Sequence, residues 1–193
     1  MSKAITVKEA ILTVVISILG GILYMAWIPV YEWVSGFVPF LGKAISPMWY
    51  IAGIIAAYII RKPGVAFVAE FAAASLEMIA GGQYGLSTAM SGIMQGLGAE
   101  VVFLAFGYKK WTLPVLMLAS VGSNIGGYIV NYMFWGYAQK TIFIQVTNFA
   151  SSTIGSLFVC GLLGKWLSDA LAKAGVLNSY AIVRATGRAK WEK

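Results

Sequence analysis

The sequence predicts an all-α integral membrane protein with six transmembrane helices and both termini in the cytoplasm. Of its 193 residues, 60% are hydrophobic and 11% are charged, and the mean hydropathy of +0.80 is too high for a soluble globular domain. The apolar runs are continuous and do not alternate, which excludes an outer-membrane β-barrel. Most of the cations lie near the termini or in connections that six crossings place on the same side of the membrane as the termini.

Six mostly apolar stretches have the length of membrane spans, since roughly 17 to 25 helical residues cross a hydrocarbon core of about 30 Å. The last two are longer than one span needs, which indicates tilt or extension beyond the membrane. We expect a single domain, residues 1–193, with a basic cytoplasmic tail over 173–193 that meets anionic lipid. The six helices are placed near 9–28, 45–60, 64–81, 87–106, 112–137 and 142–172.

The positions of lysine and arginine give the orientation. Of the 14 Lys and Arg residues, all but Lys43 and Lys140 fall on the side that also holds the termini. The positive-inside rule assigns that side to the cytoplasm. The first apolar run has no small-x-small cleavage pattern before Pro29, so we treat it as a retained helix and not as a signal peptide.

Residues 29–44, after helix 1, form an external segment that is long for a helical connection. Its aromatic residues are typical of an interfacial belt, whereas its length favours a lid or wall over a ligand. Both interpretations stay open from the residues alone. The aromatic and proline residues in and beside it are Trp27, Pro29, Tyr31, Trp33, Phe37, Pro39 and Phe40.

Helix 2 carries Trp49 at its outer entrance and the pair Ala52 and Ala56 deeper in. Small residues four apart let two helices approach closely, either inside the protein or against a partner membrane protein. The helix ends at a turn, residues 61–64, where proline and glycine follow two cations.

Three glutamates lie within the apolar runs of helices 3 and 4 without a neighbouring cation in sequence. A charge in the bilayer costs at least a few kcal/mol, so such residues usually face a protein interior or a polar cavity. Counting about 1.5 Å per residue places Glu77 level with Gln95, whereas Glu70 and Glu100 lie deeper. We therefore predict that Glu77 and Gln95 bind a ligand from outside, and that Glu70 and Glu100 are structural or conformational carboxyls.

Polar and aromatic residues also occupy the outer halves of helices 5 and 6. Tyr128, Asn131 and Trp135 recur at helical spacing and share one face, and Tyr84 lies in the short external loop between helices 3 and 4. Interhelical hydrogen bonding and interfacial anchoring are the alternative for each residue. The predicted substrate site consists of Trp49, Glu77, Tyr84, Gln95, Tyr128, Asn131 and Trp135.

The residue inventory argues against catalysis and against a bound cofactor. There is no histidine and no P-loop pattern, and the one cysteine, Cys160, is expected to be a buried apolar thiol. With seven acids in all, a transition-metal site has few ligands. The net charge of +7 lies at the cytoplasmic rim, so it indicates topology and not nucleic-acid binding. Carboxylate, amides and aromatic rings suit a compact organic ligand that is cationic or rich in donors.

The turn Arg61-Lys62-Pro63-Gly64, the glutamates that follow it, and the run from Gln95 to Glu100 resemble the YkoE family over essentially the whole chain. These are substrate-capture S components of energy-coupling factor (ECF) vitamin transporters. The resemblance implies a six-helix bundle that works with a transmembrane coupling protein and two cytoplasmic ATPases. This sequence departs from the family pattern in one respect: helix 1 lacks the Ala-x-x-x-Ala motif through which S components commonly dock on the coupling protein, and has Ser17-x-x-x-Gly21 instead. Docking through Ser17 and Gly21, or through Ala52 and Ala56, is therefore the expectation.

The resulting hypothesis is an S subunit that captures thiamine or its hydroxymethylpyrimidine precursor without modifying it. Glu77 would balance the thiazolium charge, Gln95 and Asn131 would bind the aminopyrimidine, and the aromatic residues would stack on the rings. Two alternatives remain. A self-sufficient proton-coupled transporter would use Glu70 and Glu100 as a relay, and an assembly subunit would bind no small molecule.

Overall fold

The computed structural model describes residues 4–185 and 187, and all regular structure in this part is helical. Two 3-10 segments, Ser46–Tyr50 and Tyr137–Gln139, and a π-helical segment, Ser156–Leu162, interrupt or connect the α-helices. The α-helices are α1 Val7–Phe37, α2 Pro39–Ile45, α3 Ile51–Ile60, α4 Val65–Ile79, α5 Leu86–Ala105, α6 Leu113–Phe134, α7 Ile142–Gly155, α8 Leu163–Lys173 and α9 Ala181–Arg184.

The protein is a multi-pass membrane protein. Within the described residues, five helical segments are long and apolar enough to cross a membrane: Val7–Phe37, Pro39–Ile60, Leu86–Ala105, Leu113–Phe134 and Ile142–Lys173. The span expected at 64–81 forms α4, which has 15 residues. At 1.5 Å per residue it extends about 22 Å, less than a typical hydrocarbon core.

The segment expected to connect helices 1 and 2 is itself helical. α1 continues through Pro29 to Phe37, and α2 begins two residues later at Pro39. The expected bounds of helix 1, near 9–28, end before this proline, but a membrane helix tolerates the missing N–H where neighbours satisfy the freed groups. Of the aromatic residues in this segment, Tyr31 lies on a cavity wall, while Trp33, Phe37 and Phe40 are exposed. The wall interpretation therefore applies to Tyr31.

The second predicted helix, by contrast, is broken. Between α2 and α3 the chain passes through the 3-10 segment, and Tyr50 leaves the helical region of backbone conformation. The break exposes the first N–H groups of α3. The hydroxyl of Tyr24 accepts from Ala52 N at 3.1 Å, and Glu70 Oε2 accepts from Gly53 N at 3.0 Å.

Small residues hold the helices close together. A Cβ on Gly98 would overlap the carbonyl oxygen of Gly122, so α5 and α6 touch through their backbones there. Gly92 and Gly96, four residues apart in α5, lie against α4, where a Cβ on Gly96 would come within 2.8 Å of Phe67 Cα. Helices in lipid associate through such close packing, because lipid tails are as apolar as the side chains.

The four residues expected to dock a partner are used inside the chain. Ser17 is 3% exposed and its Oγ donates to the carbonyl oxygen of Ala69 at 3.1 Å. A Cβ on Gly21 would lie 2.9 Å from the carbonyl oxygen of Ala73, and Ala52 and Ala56 are almost fully buried. In this conformation none of the four forms an exposed docking surface. The reason is that Ser17 and Gly21 pack α1 against α4, while Ala52 and Ala56 lie on α3 in the core of the bundle.

One end of the bundle, here named the terminal end, gathers residues 4–9, the turn 61–64 and the chain near Tyr180. Lys62 is buried and its Nζ donates to Glu9 Oε2 and to the carbonyl oxygen of Ala4, each at 2.6 Å. Part of the expected basic tail folds onto this end, since α9 buries Ile182. Residues 186 and 188–193 of that tail lie outside the described residues.

Candidate functional site

A cavity of about 140 Å³ lies at the opposite end of the bundle, beside the connections 80–85 and 135–141. All seven residues predicted to bind substrate line it, although they come from three α-helices, one 3-10 segment and two connections. Their role as ligand contacts stays a prediction. They are Trp49, Glu77, Tyr84, Gln95, Tyr128, Asn131 and Trp135.

Glu77 supplies a carboxylate to the cavity. Its side chain is 1% exposed, and Oε1 accepts a hydrogen bond from Trp49 Nε1 at 3.2 Å. Within the described residues Glu77 has no ion-pair partner, and Oε2 accepts no hydrogen bond. Because Trp49 fixes one oxygen, the carboxylate is oriented while its second oxygen remains available for a donor or cation.

Two amides stand on the cavity wall with their hydrogen-bonding groups unused. Neither the Gln95 nor the Asn131 side chain forms a hydrogen bond to the described part of the protein. Gly127 makes room for the first of them, since a Cβ there would lie 2.9 Å from Gln95 Nε2. An amide offers two donors and an acceptor oxygen, so this pair can recognise the edge of a polar heterocycle.

Aromatic rings form the side of the cavity beside its two connections. Tyr84 and Trp135 meet edge to face with ring centroids 4.5 Å apart. The Tyr84 hydroxyl donates to Glu32 Oε1 at 2.8 Å, so a second carboxylate lies beside the cavity. Burial and this hydrogen bond raise the pKa of Tyr84, which keeps its hydroxyl a donor at neutral pH.

A polar network connects the cavity to α6 and the π-helical segment. Tyr50 Oη and Ser156 Oγ are 2.7 Å apart, and Asn124 Nδ2 donates to Thr153 Oγ1 at 3.0 Å. The Cys160 thiol is fully buried and contacts the carbonyl oxygen of Tyr50. These groups bind one another, so they fix the shape of the cavity.

Glu70 and Glu100 do not line the cavity. Glu70 accepts hydrogen bonds from Tyr24 Oη at 2.9 Å and from Gly53 N. Glu100 accepts one from Ala66 N at 2.8 Å through Oε1 and one from Tyr108 Oη through Oε2. Each carboxylate thus satisfies backbone donors at the start of a helix, α3 for Glu70 and α4 for Glu100. These contacts support the structural role over a proton relay.

Sequence reasoning missed several residues of the cavity wall, notably Tyr31, Lys43, Thr88 and Tyr137. From the residues alone, belt and wall both stay open for Tyr31, and Lys43 bears only on the topology. The sequence does single out Lys43, because it is one of two cations on the side of the membrane that is otherwise poor in Lys and Arg. Within the described residues no three His, Cys, Asp or Glu side chains lie together as metal ligands.

Known proteins resemble this chain over most of its length. The family of ABC-type cobalt transport system permease components matches residues 8–126. YkoE of Bacillus subtilis (strain 168), named as a candidate HMP/thiamine permease protein, is 40% identical over 181 residues, covering 93% of this chain and 91% of that protein. A crystal structure of an S-component of an ECF transporter has a TM-score of 0.89 and 39% identity, covering 93% of this chain and 91% of that one.

YkoE and the solved structure each match 93% of this chain, and they identify a transport subunit and not an enzyme. An S component works with a transmembrane coupling protein and ATPases, which fits a chain without a nucleotide-binding motif. This chain belongs to the YkoE family of ECF transporter S components.

Proposed function

We propose that the protein captures thiamine or its hydroxymethylpyrimidine precursor in this cavity and delivers it inward unmodified. The observation that carries the proposal is the combination in one cavity of a buried carboxylate without a counter-ion among the described residues, Glu77, and two amide side chains without hydrogen bonds to them, Gln95 and Asn131. The naming of YkoE as a candidate HMP/thiamine permease supports the same class of ligand.

The size of the cavity suits one aromatic ring. Engineered apolar cavities of about 150 Å³ hold a benzene-sized ligand, and this cavity measures about 140 Å³. The aminopyrimidine ring, which thiamine and hydroxymethylpyrimidine share, is the part that we assign to it. The thiazolium ring of thiamine would extend toward Tyr84 and Trp135, with its charge balanced by Glu77.

We also propose that the chain crosses the membrane six times, with α4 as a short third span and both termini in the cytoplasm. The concentration of Lys and Arg on the side of the termini supports this orientation. It places the cavity at the outer end of the bundle, where a solute from outside arrives, and the terminal end next to the ATPases.

Titration calorimetry on the Glu77→Gln variant tests the ligand role of the carboxylate. Glutamine keeps the shape and an acceptor for Trp49 but removes the charge, so thiamine affinity should fall at least tenfold. Hydroxymethylpyrimidine, which has no permanent cation, should lose less. Glu32→Gln is the matched control, because Glu32 is exposed beside the cavity and does not line it. Thiamine affinity unchanged within a few-fold in Glu77→Gln would show that the charge-pairing role is wrong.

A further inference from the structure

We propose that Lys43 is a specificity-determining residue that binds an oxygen acceptor on the ligand, carried by an alcohol or a phosphate ester. The inference rests on the function proposed above and adds the kind of substituent that the ligand carries. It starts from a cation that lines the cavity and has no anion beside it.

Lys43 is carried on a tightly packed backbone. It lies in α2, whose neighbouring residues Gly42 and Ala44 are both in close contact with other helices. A Cβ on Gly42 would overlap Ser35 Oγ, and a Cβ on Gly155 would overlap the carbonyl oxygen of Ala44. With α2 fixed against α1 and α7, the start of the lysine side chain is fixed beside the cavity.

The Lys43 ammonium lies among aromatic rings. Its Nζ is 5.3 Å from the centroid of the Tyr31 ring and 5.4 Å from that of Tyr137. Ion pairs in the described part of the chain join Lys62 to Glu9 and Lys165 to Asp169, and none involves Lys43. The two tyrosines attract the charge through their rings and hydroxyls but supply no carboxylate, and an ammonium has three donors to satisfy.

Two hydroxyls that line the same cavity are also available to a ligand. Thr88 Oγ1 and Tyr137 Oη are buried and form no hydrogen bond of ordinary geometry with the described residues, although the Tyr137 hydroxyl lies near enough to the Lys43 ammonium to interact with it. The two side chains are 8% and 4% exposed. Buried polar atoms are rarely left unpaired, so these hydroxyls indicate groups that a ligand would satisfy. The Tyr137 ring also faces Lys43, so its hydroxyl and the ammonium can serve the same oxygen.

The cavity therefore has the Glu77 carboxylate and the Lys43 ammonium on its lining, and two aromatic side chains in contact connect them. Trp49 is hydrogen-bonded to Glu77, its ring meets Tyr31 with centroids 5.0 Å apart, and Tyr31 lies beside Lys43. A ligand that spans these rings should offer a donor or cation to Glu77 and an acceptor to Lys43. An aromatic ring with a short oxygen-bearing arm meets both requirements.

A cycle of variants and ligands tests the role of Lys43. Calorimetry would measure hydroxymethylpyrimidine, its phosphate ester and the 2,5-dimethyl-4-aminopyrimidine analogue, which lacks the oxygen, against wild type, Lys43→Met and Lys140→Met. Lys140 is the control, because its Nζ lies 4.4 Å from the centroid of the same Tyr137 ring but the residue is exposed and does not line the cavity.

Lys43→Met should weaken the oxygen-bearing ligand at least tenfold and leave the analogue within twofold, and Lys140→Met should leave all three within twofold. Whichever of the alcohol and the phosphate ester binds wild type more tightly and loses more in Lys43→Met identifies the source of the oxygen. Equal losses for the alcohol, the ester and the analogue, or no loss for any of them, would overturn the proposal. Wild type that binds none of the three would overturn this proposal, and only wild type that also fails to bind thiamine would overturn the proposed function. Both results are visible before any variant is made.

Discussion

Three glutamates within apolar helices have different surroundings, and their hydrogen-bond partners distinguish them. Glu77 faces the cavity with one oxygen held by Trp49, whereas Glu70 and Glu100 accept backbone N–H groups. Counting depth along the helices predicted this division, because Glu77 and Gln95 do line one cavity. The N–H partners could not be predicted, since they depend on a break in another helix that hydropathy does not reveal.

The pair Tyr24 and Glu70 is expected to stabilise the protein more than an ordinary surface hydrogen bond does. Tyr24→Phe removes the hydroxyl that donates to Glu70 and accepts from Ala52 N, which leaves buried polar groups unpaired. The expected loss in the free energy of unfolding is about 1–3 kcal/mol. Thermal unfolding in detergent would measure it.

The control for this prediction is Tyr180→Phe. The Tyr180 hydroxyl forms a single long contact of 3.5 Å with the carbonyl oxygen of Lys8 near the surface. If Tyr24→Phe unfolds at the same temperature as Tyr180→Phe, the contribution of the buried pair to stability is negligible.

Helices that the sequence presents as continuous runs are interrupted where the cavity forms. Trp49 and Tyr50 belong to the 3-10 segment between α2 and α3, and Ser156 belongs to the π-helical segment before α8. Irregular backbone at membrane depth is tolerated where protein groups or a cavity satisfy it. Hydropathy located these apolar runs, but the breaks depend on long-range partners such as Tyr24 and therefore could not be predicted from local sequence.

The contact between α5 and α6 should be intolerant of a single methyl group. In Gly98→Ala the new Cβ would overlap the backbone of Gly122, so the helices must separate. Overpacking of this kind costs about 1–3 kcal/mol. Thermal unfolding should show a clear loss of stability.

Gly36→Ala makes the same chemical change in α1, where a Cβ meets nothing within 4 Å. Alanine is the better helix former, so this control should be neutral or slightly stabilising. Gly98→Ala that is as stable as Gly36→Ala would mean that the two helices do not meet through their backbones.

At the scale of the whole molecule, composition and charge predicted a multi-pass helical membrane protein, and the structure confirms it. The positions of five of the six expected spans correspond to long apolar helical segments. The remaining expected span, 64–81, corresponds to α4, which is short because the turn at 61–64 and the connection at 80–85 limit it. The number of crossings is therefore the topological question that an experiment should settle.

Labelling with a membrane-impermeant maleimide in intact cells addresses this question. The one native thiol, Cys160, is fully buried and provides a silent background. Cysteines introduced at Pro63, Gln83 and Lys109, all exposed positions, report the two ends of α4 and of α5. We expect labelling at 83, and labelling at 63 and 109 only after permeabilisation.

Labelling of 63 and 83 from the same side would mean that α4 does not cross. The protein would then have an odd number of spans, and its termini would lie on opposite sides. Wild-type protein, with Cys160 alone, is the control for reagent that enters the bundle.

The central claim, that the cavity captures thiamine or its pyrimidine, is tested most directly by native mass spectrometry. The purified protein, without coupling protein or ATPases, would be mixed with equimolar thiamine, hydroxymethylpyrimidine, riboflavin and biotin. The account predicts a 1:1 complex with thiamine or hydroxymethylpyrimidine that is weakened in Glu77→Gln. Bare protein, or equal adducts with all four compounds, would contradict it.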